Sequence, residues 1–261
     1  VRPFALLMRA DRPIGSWLLL FPCWWSLALA ELNRGRPYPN LWYLALLFIG
    51  AFVMRGAGCT YNDIVDRDYD RRVARTASRP IASGAVTVRN AFIWAGALSL
   101  IGLAVLLQFN RFTVVLGMGS LVLIAIYPFM KRFTSWPQLV LGLTFKWGAL
   151  VGWAAVYGAL EPAAIGPYAG CVLWTIGYDT IYAHQDAQDD ALLGLRSTAL
   201  KFGTNSHNWI GGFYGGAVIL WAIAAVLANA HLVFFLALAL VTLQLSWQVS
   251  TLDTSNAANC L

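Results

Sequence analysis

Charge is scarce in this chain: Asp, Glu, Lys and Arg make up 11% of its 261 residues, against roughly a quarter in a soluble domain. Hydrophobic residues make up 59%, and mean hydropathy is +0.63. A water-soluble globule of this composition would have too few charges to keep its surface wet, so the soluble class is excluded. Cysteine is sparse too. Cys23, Cys59, Cys171 and Cys260 lie far apart with no C-x-x-C pair, which argues against disulfides and cysteine metal sites and leaves small apolar packing residues. No polar, Pro-rich or Ser-rich linker divides the sequence, so a single domain over residues 1–261 is expected. The opening Val1-Arg2-Pro3-Phe4 has neither an initiator Met nor the charged, apolar, small-residue order of a cleaved signal, and is expected to be a trimmed start.

What is present in quantity is apolar stretches near the roughly 20 residues needed to cross a bilayer. They run from Ile14 to Ala30, Leu41 to Gly58, Ala91 to Leu107, Thr113 to Met130, Pro137 to Gly158, Ala163 to Tyr182, Trp209 to Leu227 and His231 to Val249. The alternating segments of about ten residues that would build a membrane barrel are absent, and lipid offers no partner to an unpaired amide. The fold class is therefore all-α integral membrane, a multi-helix transmembrane bundle with about eight spans. Trp24, Trp25, Trp136 and Trp153 suit interfacial belts.

Basic residues separate strongly by side. Arg2, Arg9, Arg12, Arg67, Arg71, Arg72, Arg75, Arg79, Arg89, Lys131, Arg132, Arg196 and Lys201 fall on one side of the counted spans, against Arg34, Arg36 and Arg111 on the other. The positive-inside rule makes the first side cytoplasmic. The net charge of +6 is thus largely topological, and basic residues interleaved with aspartates argue against nucleic acid as a partner.

Two aspartate clusters lie on that basic side. In the first, Asn62, Asp66 and Asp70 are spaced i, i+4, i+8, and a helix continued through them would put all three on one face. Such a row of oxygens can hold magnesium, which favours one or two carboxylates plus water and phosphate oxygens. Nearby arginines would meet the remaining phosphate oxygens with forked donors. A merely solvated charge run is the bland alternative, though like charges on one face repel unless a cation sits between them. A calcium loop beginning at Asp66 fails at Arg71, where glycine is needed, and at Ala77, where the bidentate Glu would stand. In the second cluster, Asp179, Asp186 and Asp190 are spaced i, i+7, i+11, within about 40° of one helical stripe, with Asp189 off it. Two such stripes describe a site that grips a diphosphate from two directions. Arg55 shares the first cluster's face about 10 Å deeper, a depth that suits an anionic group on a second substrate. Lys146, within a span, is either a snorkelling or structural cation or a functional one. The three histidines read as interfacial or packing residues.

The chain resembles the UbiA-type intramembrane aromatic prenyltransferases. The resemblance rests on N-D-x-x-D-x-x-x-D at Asn62 to Asp70, R-T-A-S-R-P at Arg75 to Pro80, and Y-P-F-M-K-R at Tyr127 to Arg132. It also rests on Y-D-T-I-Y-A at Tyr178 to Ala183, D-x-x-x-D at Asp186 to Asp190, and R-x-D-R-P-I-G at Arg9 to Gly15. It implies nine helices around a central cavity, with a side opening to lipid. It implies Mg2+ held by Asn62, Asp66, Asp70, Asp186 and Asp190, and diphosphate contacts from Arg67, Arg75, Arg79, Lys131 and Arg132. Arg55, Asn62 and Tyr127 fall to the aromatic substrate, and Asp179 joins the catalytic aspartates, orienting the diphosphate or assisting the phenol.

The implied reaction moves a polyprenyl group from polyprenyl diphosphate to the ring carbon ortho to the hydroxyl of 4-hydroxybenzoate, in ubiquinone biosynthesis. The setting is a bacterial inner membrane with the site facing the cytoplasm, or a mitochondrial inner membrane with the site facing the matrix, and no obligate protein partner is evident. Sibling enzymes acting on haem, a chlorophyllide or a naphthoate share the phosphate-handling motifs. A cation-coupled transporter is the rival from another class, disfavoured because the carboxylates gather at one mouth and no inverted repeat marks a midplane site. The family continues beyond a segment like Asn256 to Leu261 into a ninth helix, which is expected to be missing here.

Overall fold

The computed structural model describes residues 2–73, 75–254, 256 and 259–260. Residues 1 and 261, which bound the expected single domain, lie outside the described residues, as does part of the segment expected to lead toward a ninth helix.

Helices are numbered in chain order. α1 (Arg2–Leu7) precedes two long spans, α2 (Ile14–Asn33) and α3 (Leu41–Asp70). α4 (Val88–Leu106) and α5 (Arg111–Ile126) follow, and α5 passes through a 3-10 turn at Tyr127–Phe129 into α6 (Met130–Phe133). α7 (Pro137–Phe145) and α8 (Trp147–Tyr157) form one span broken at Lys146. α9 (Pro162–Ala183) leads through a 3-10 turn at His184–Asp186 to α10 (Ala187–Leu192). α11 (Thr198–Phe202), α12 (Ser206–Leu227) and α13 (Leu232–Thr251) complete the described helices.

Among the described residues, seven helical segments are long and apolar enough to cross a membrane: Ile14–Asn33, Leu41–Asp70, Val88–Leu106, Arg111–Phe133, Pro137–Tyr157, Thr198–Leu227 and Leu232–Thr251. The eighth expected span is α9. At 22 residues it is long enough, but two prolines, Thr175, Tyr178, Asp179 and Thr180 make it less apolar. Its position explains that composition, since it packs against α12, α7, α8 and α2 inside the bundle and has little lipid to face. Leu20, Leu27, Trp153, Ala164 and Ala224, from α2, α8, α9 and α12, are buried at the shared core. Gly152 lets α8 approach α2 closely, for a Cβ there would collide with the Cys23 carbonyl. Leu100, Val115, Val122, Leu240 and Leu243 on α4, α5 and α13 are exposed, as lipid-facing side chains must be.

Helix starts follow the capping residues. Asn40 accepts from the Trp42 and Tyr43 amides at the start of α3, and Thr87 accepts from the Asn90 amide at α4. Asn110 caps α5 through the Thr113 amide and donates from its own amide to the Ala154 and Ala155 carbonyls, tying α5 to the end of α8. The 30 residues of α3 extend about 45 Å, well beyond a hydrocarbon core of about 30 Å. The excess turns carry Asn62 to Asp70.

Candidate active site

Because α3 remains helical through Asp70, the first cluster keeps its expected stripe, and Asn62, Asp66 and Asp70 line one small pocket of about 170 Å3. Asp66 is buried and held by Lys131 Nζ at 2.7 Å and Arg132 Nη2 at 3.2 Å. The Asn62 amide donates to it at 3.4 Å. Asp70 receives Arg79 Nη1 at 2.8 Å. Arg75 meets Asp186 with a fork, Nε at 2.9 Å and Nη2 at 2.6 Å, which joins the two clusters directly. Asp186, Asp189 and Asp190 line the same pocket from the far side.

The second stripe is corrected. The 3-10 turn at His184–Asp186 interrupts the 100° advance, so Asp179 does not line up with Asp186 and Asp190. Asp179 instead opens onto a larger cavity of about 1460 Å3. Asp189, set aside by the stripe, is at the small pocket. Arg67 is turned away, pairing with Asp68 at 3.5 Å on the exposed side of α3. Arg132 reaches Asp66 from behind, stacked on Tyr69 and Phe129, and does not line the pocket. Lys131, Arg75 and Arg79 do line it.

Sequence reasoning missed Asp63. It is fully buried, bound to Arg9 Nη2 at 2.7 Å and Arg79 Nη1 at 3.2 Å, and so anchors one of the pocket's cations. Its signal was present in N-D, where a carboxylate one residue off the stripe turns to Arg9, just past α1, instead of to the small pocket.

Asn62 and Tyr127 line both cavities and stand where they meet. Below them Arg55 lies over the Phe145 ring, its carbon 5.0 Å from the centroid, and its buried Nε has no hydrogen-bond partner among the described residues. Gly15 makes room for it: a Cβ at that position would stand 2.6 to 2.8 Å from the guanidinium. Beyond Arg55 the cavity is mostly apolar, bordered by Leu46, Gly50, Met54, Leu103 and Leu106.

Among the described residues no three His, Cys, Asp or Glu side chains form a ready metal cluster. That suits magnesium, which takes few carboxylates and completes its shell with water and phosphate. The hard oxygens of Asp66, Asp70, Asp186 and Asp190 share one pocket, and Asp190 has no ion-pair or hydrogen-bond partner for its side chain among the described residues. Burial, with the neighbouring Asp186 charge adding to it, pushes the Asp190 carboxyl up to about 6. The donor set fits a magnesium diphosphate.

Fold and site together define an all-helical membrane protein whose polar mouth opens over a large, mostly apolar cavity. The chain belongs to the UbiA prenyltransferase family, whose model matches residues 19–261. It is 48% identical to the mitochondrial 4-hydroxybenzoate polyprenyltransferase of Aedes aegypti over 99% of this chain and 58% of that one. With the Homo sapiens protein of the same name it shares 46% identity, over 100% of this chain and 70% of the relative. This chain therefore spans a little over half to about two thirds of the length of these relatives. Among solved structures, the apo UbiA homolog of Aeropyrum pernix K1 superposes with a TM-score of 0.79 at 26% identity, covering 93% of this chain and 90% of that one. A UbiA homolog of Archaeoglobus fulgidus bound to GPP and Mg2+ shares the fold, with a TM-score of 0.66 at 21% identity over 90% and 86% of the two chains.

Proposed function

We propose that the protein transfers a polyprenyl group from polyprenyl diphosphate to the ring carbon ortho to the hydroxyl of 4-hydroxybenzoate, with Mg2+, as a step of ubiquinone biosynthesis. The observation that carries this reading is the stacking of two unlike cavities. A pocket of paired carboxylates and cations, sized for a diphosphate, opens onto a mostly apolar space with the Arg55 guanidinium set below the junction. The relatives' shared name supports the acceptor.

Magnesium, when bound, neutralises charge that accumulates on the leaving diphosphate. Asp66, Asp70, Asp186 and Asp190 are the residues to hold it. Arg75, Arg79 and Lys131 add fixed donors around the same oxygens. The bond from the allylic carbon to the diphosphate oxygen breaks, a carbon–carbon bond to the ring forms, and the ring proton leaves. Arg55 binds the acceptor's carboxylate and Asn62 and Tyr127 border the ring. Asp179, which faces the acceptor cavity and not the diphosphate pocket, is the group suited to take a proton from the phenol or the ring. Apolar walls keep water from the allylic cation.

The charge asymmetry applies equally to a bacterial inner membrane, facing the cytoplasm, and a mitochondrial inner membrane, facing the matrix; the relatives named above are mitochondrial. The test is an assay of the membrane-embedded protein with 4-hydroxybenzoate and labelled prenyl diphosphates, with and without magnesium. Product should form with magnesium alone, and alanine at Asp66 or Asp186 should abolish turnover in a folded, inserted protein. Full activity in either variant would sink the two-cluster reading.

A further inference from the structure

Lys146 is fully buried, yet among the described residues it makes no ion pair. It sits at the break between α7 and α8, where no proline forces the helix to part. Its Nζ donates to the Leu18 carbonyl at 2.7 Å, and three aromatic faces take up the rest of its surroundings: Trp174 at 4.8 Å, Phe145 at 5.2 Å and Tyr178 at 5.4 Å from their centroids. Rings and a carbonyl oxygen are partners for an ammonium, since each presents negative potential to it.

The same Phe145 ring lies under Arg55 at 5.0 Å. Two cations therefore share one ring and are no farther apart than the sum of their two distances to it. Asp179 acts electrostatically on both and answers at most one of them. The other titratable neighbours of Lys146 are the Tyr178 phenol and Cys23 and Cys171, free and buried, with the Cys23 S–H donating to the Leu19 carbonyl. Inside a membrane, where charges are weakly screened, the head of the large cavity thus holds one positive charge too many. A net cation in such surroundings calls for an anion.

From this we infer that Lys146 is a positioning residue that selects an ionised acceptor, its charge acting through the aromatic wall to hold the acceptor's carboxylate against Arg55. It does so without contact: Phe145, Trp174 and Tyr178 line the cavity and Lys146 stands behind them. The inference rests on the proposed acceptor chemistry and adds the residue that makes the site prefer an acid over a neutral phenol of the same shape. A purely mechanical role, pinning the helix break to α2 through Leu18, is the competing explanation. It makes no distinction between charged and neutral ligands.

That distinction is the test. The full chain, Lys146→Met and Lys146→Gln are titrated with 4-hydroxybenzoate and with neutral 4-hydroxybenzamide, reading dissociation constants from thermal stabilisation, and KM for the acid and for prenyl diphosphate from turnover. Both variants should weaken acid binding about tenfold and leave the amide within about twofold. Lys146→Gln retains a donor for the Leu18 carbonyl, so it separates charge from the pin if Lys146→Met does not fold. Acid and amide weakening in parallel, acid binding that does not change, or a wild-type chain that binds the acid no better than the amide would each overturn the inference. A wild-type chain that prefers the acid but transfers no prenyl group counts against the proposed reaction and leaves the role of Lys146 standing.

Discussion

Single side chains at this site are set by their immediate neighbours, and two of them yield measurable expectations. Gly15 is needed because the Arg55 guanidinium occupies the place of its missing Cβ. Gly15→Ala should displace that guanidinium and raise KM for 4-hydroxybenzoate about tenfold or more, with a much smaller effect on prenyl diphosphate. Steady-state kinetics against both substrates checks this, and an equal rise for both would count against the assignment of Arg55. Asp190 holds its proton to a higher pH than an ordinary carboxylate, because burial and Asp186 raise its carboxyl to about 6. As pH falls from 7 to 5 it takes up a proton and ceases to be a cation ligand, so magnesium affinity without substrate should drop by about tenfold. Titration of metal binding across that range, repeated with Asp190→Asn, should give a slope in the native chain and a flatter line in the variant. At this scale spacing along one continuous helix anticipated where Arg55, Asn62, Asp66 and Asp70 lie, though placement alone assigns them no role. It served poorly for Arg67 and Arg132, whose long side chains reach partners that spacing along a helix does not specify.

Helices follow from apolar length and capping, and all eight expected spans have a helical counterpart. What the pattern did not disclose are the interruptions. The break at Lys146 carries no proline, and Gly142 and Gly148 on either side lie within helix, so the break follows the tertiary contacts of the lysine, which reaches the α2 backbone and three rings. The 3-10 turn after α9 is equally silent, and it alone moved Asp179 off the stripe of Asp186 and Asp190. Extra turns of α3 are held outside the membrane by Asp63, which binds Arg9 from the first residues and Arg79 from the loop beyond. Removing one partner of a buried ionic network strands the others. Asp63→Ala should therefore cost about 3 kcal/mol, read as a lowered midpoint of thermal unfolding in detergent. An unchanged midpoint would show that Arg9 and Arg79 find other partners.

Over the whole molecule, charge sorting and site placement are the same fact: the cations that fix the membrane orientation include those that line the pocket. Arg75, Arg79 and Lys131 serve both ends. Cysteines introduced at Gly35 and at Asp68, both exposed, should react with an impermeant thiol reagent from opposite faces of a sealed vesicle, the four native cysteines being buried. Labelling of both from one face would refute the topology.

The carboxylates of the mouth are also already engaged. Asp66 holds Lys131, Asp70 holds Arg79 and Asp186 holds Arg75. On the proposed function, loading the site is an exchange of salts, the carboxylates turning to metal and the ammonium and guanidinium groups to phosphate. An ion arriving alone and drawing on the paired groups would leave their present partners without a replacement. On the proposed function, the mouth should therefore engage metal and diphosphate together more readily than either by itself.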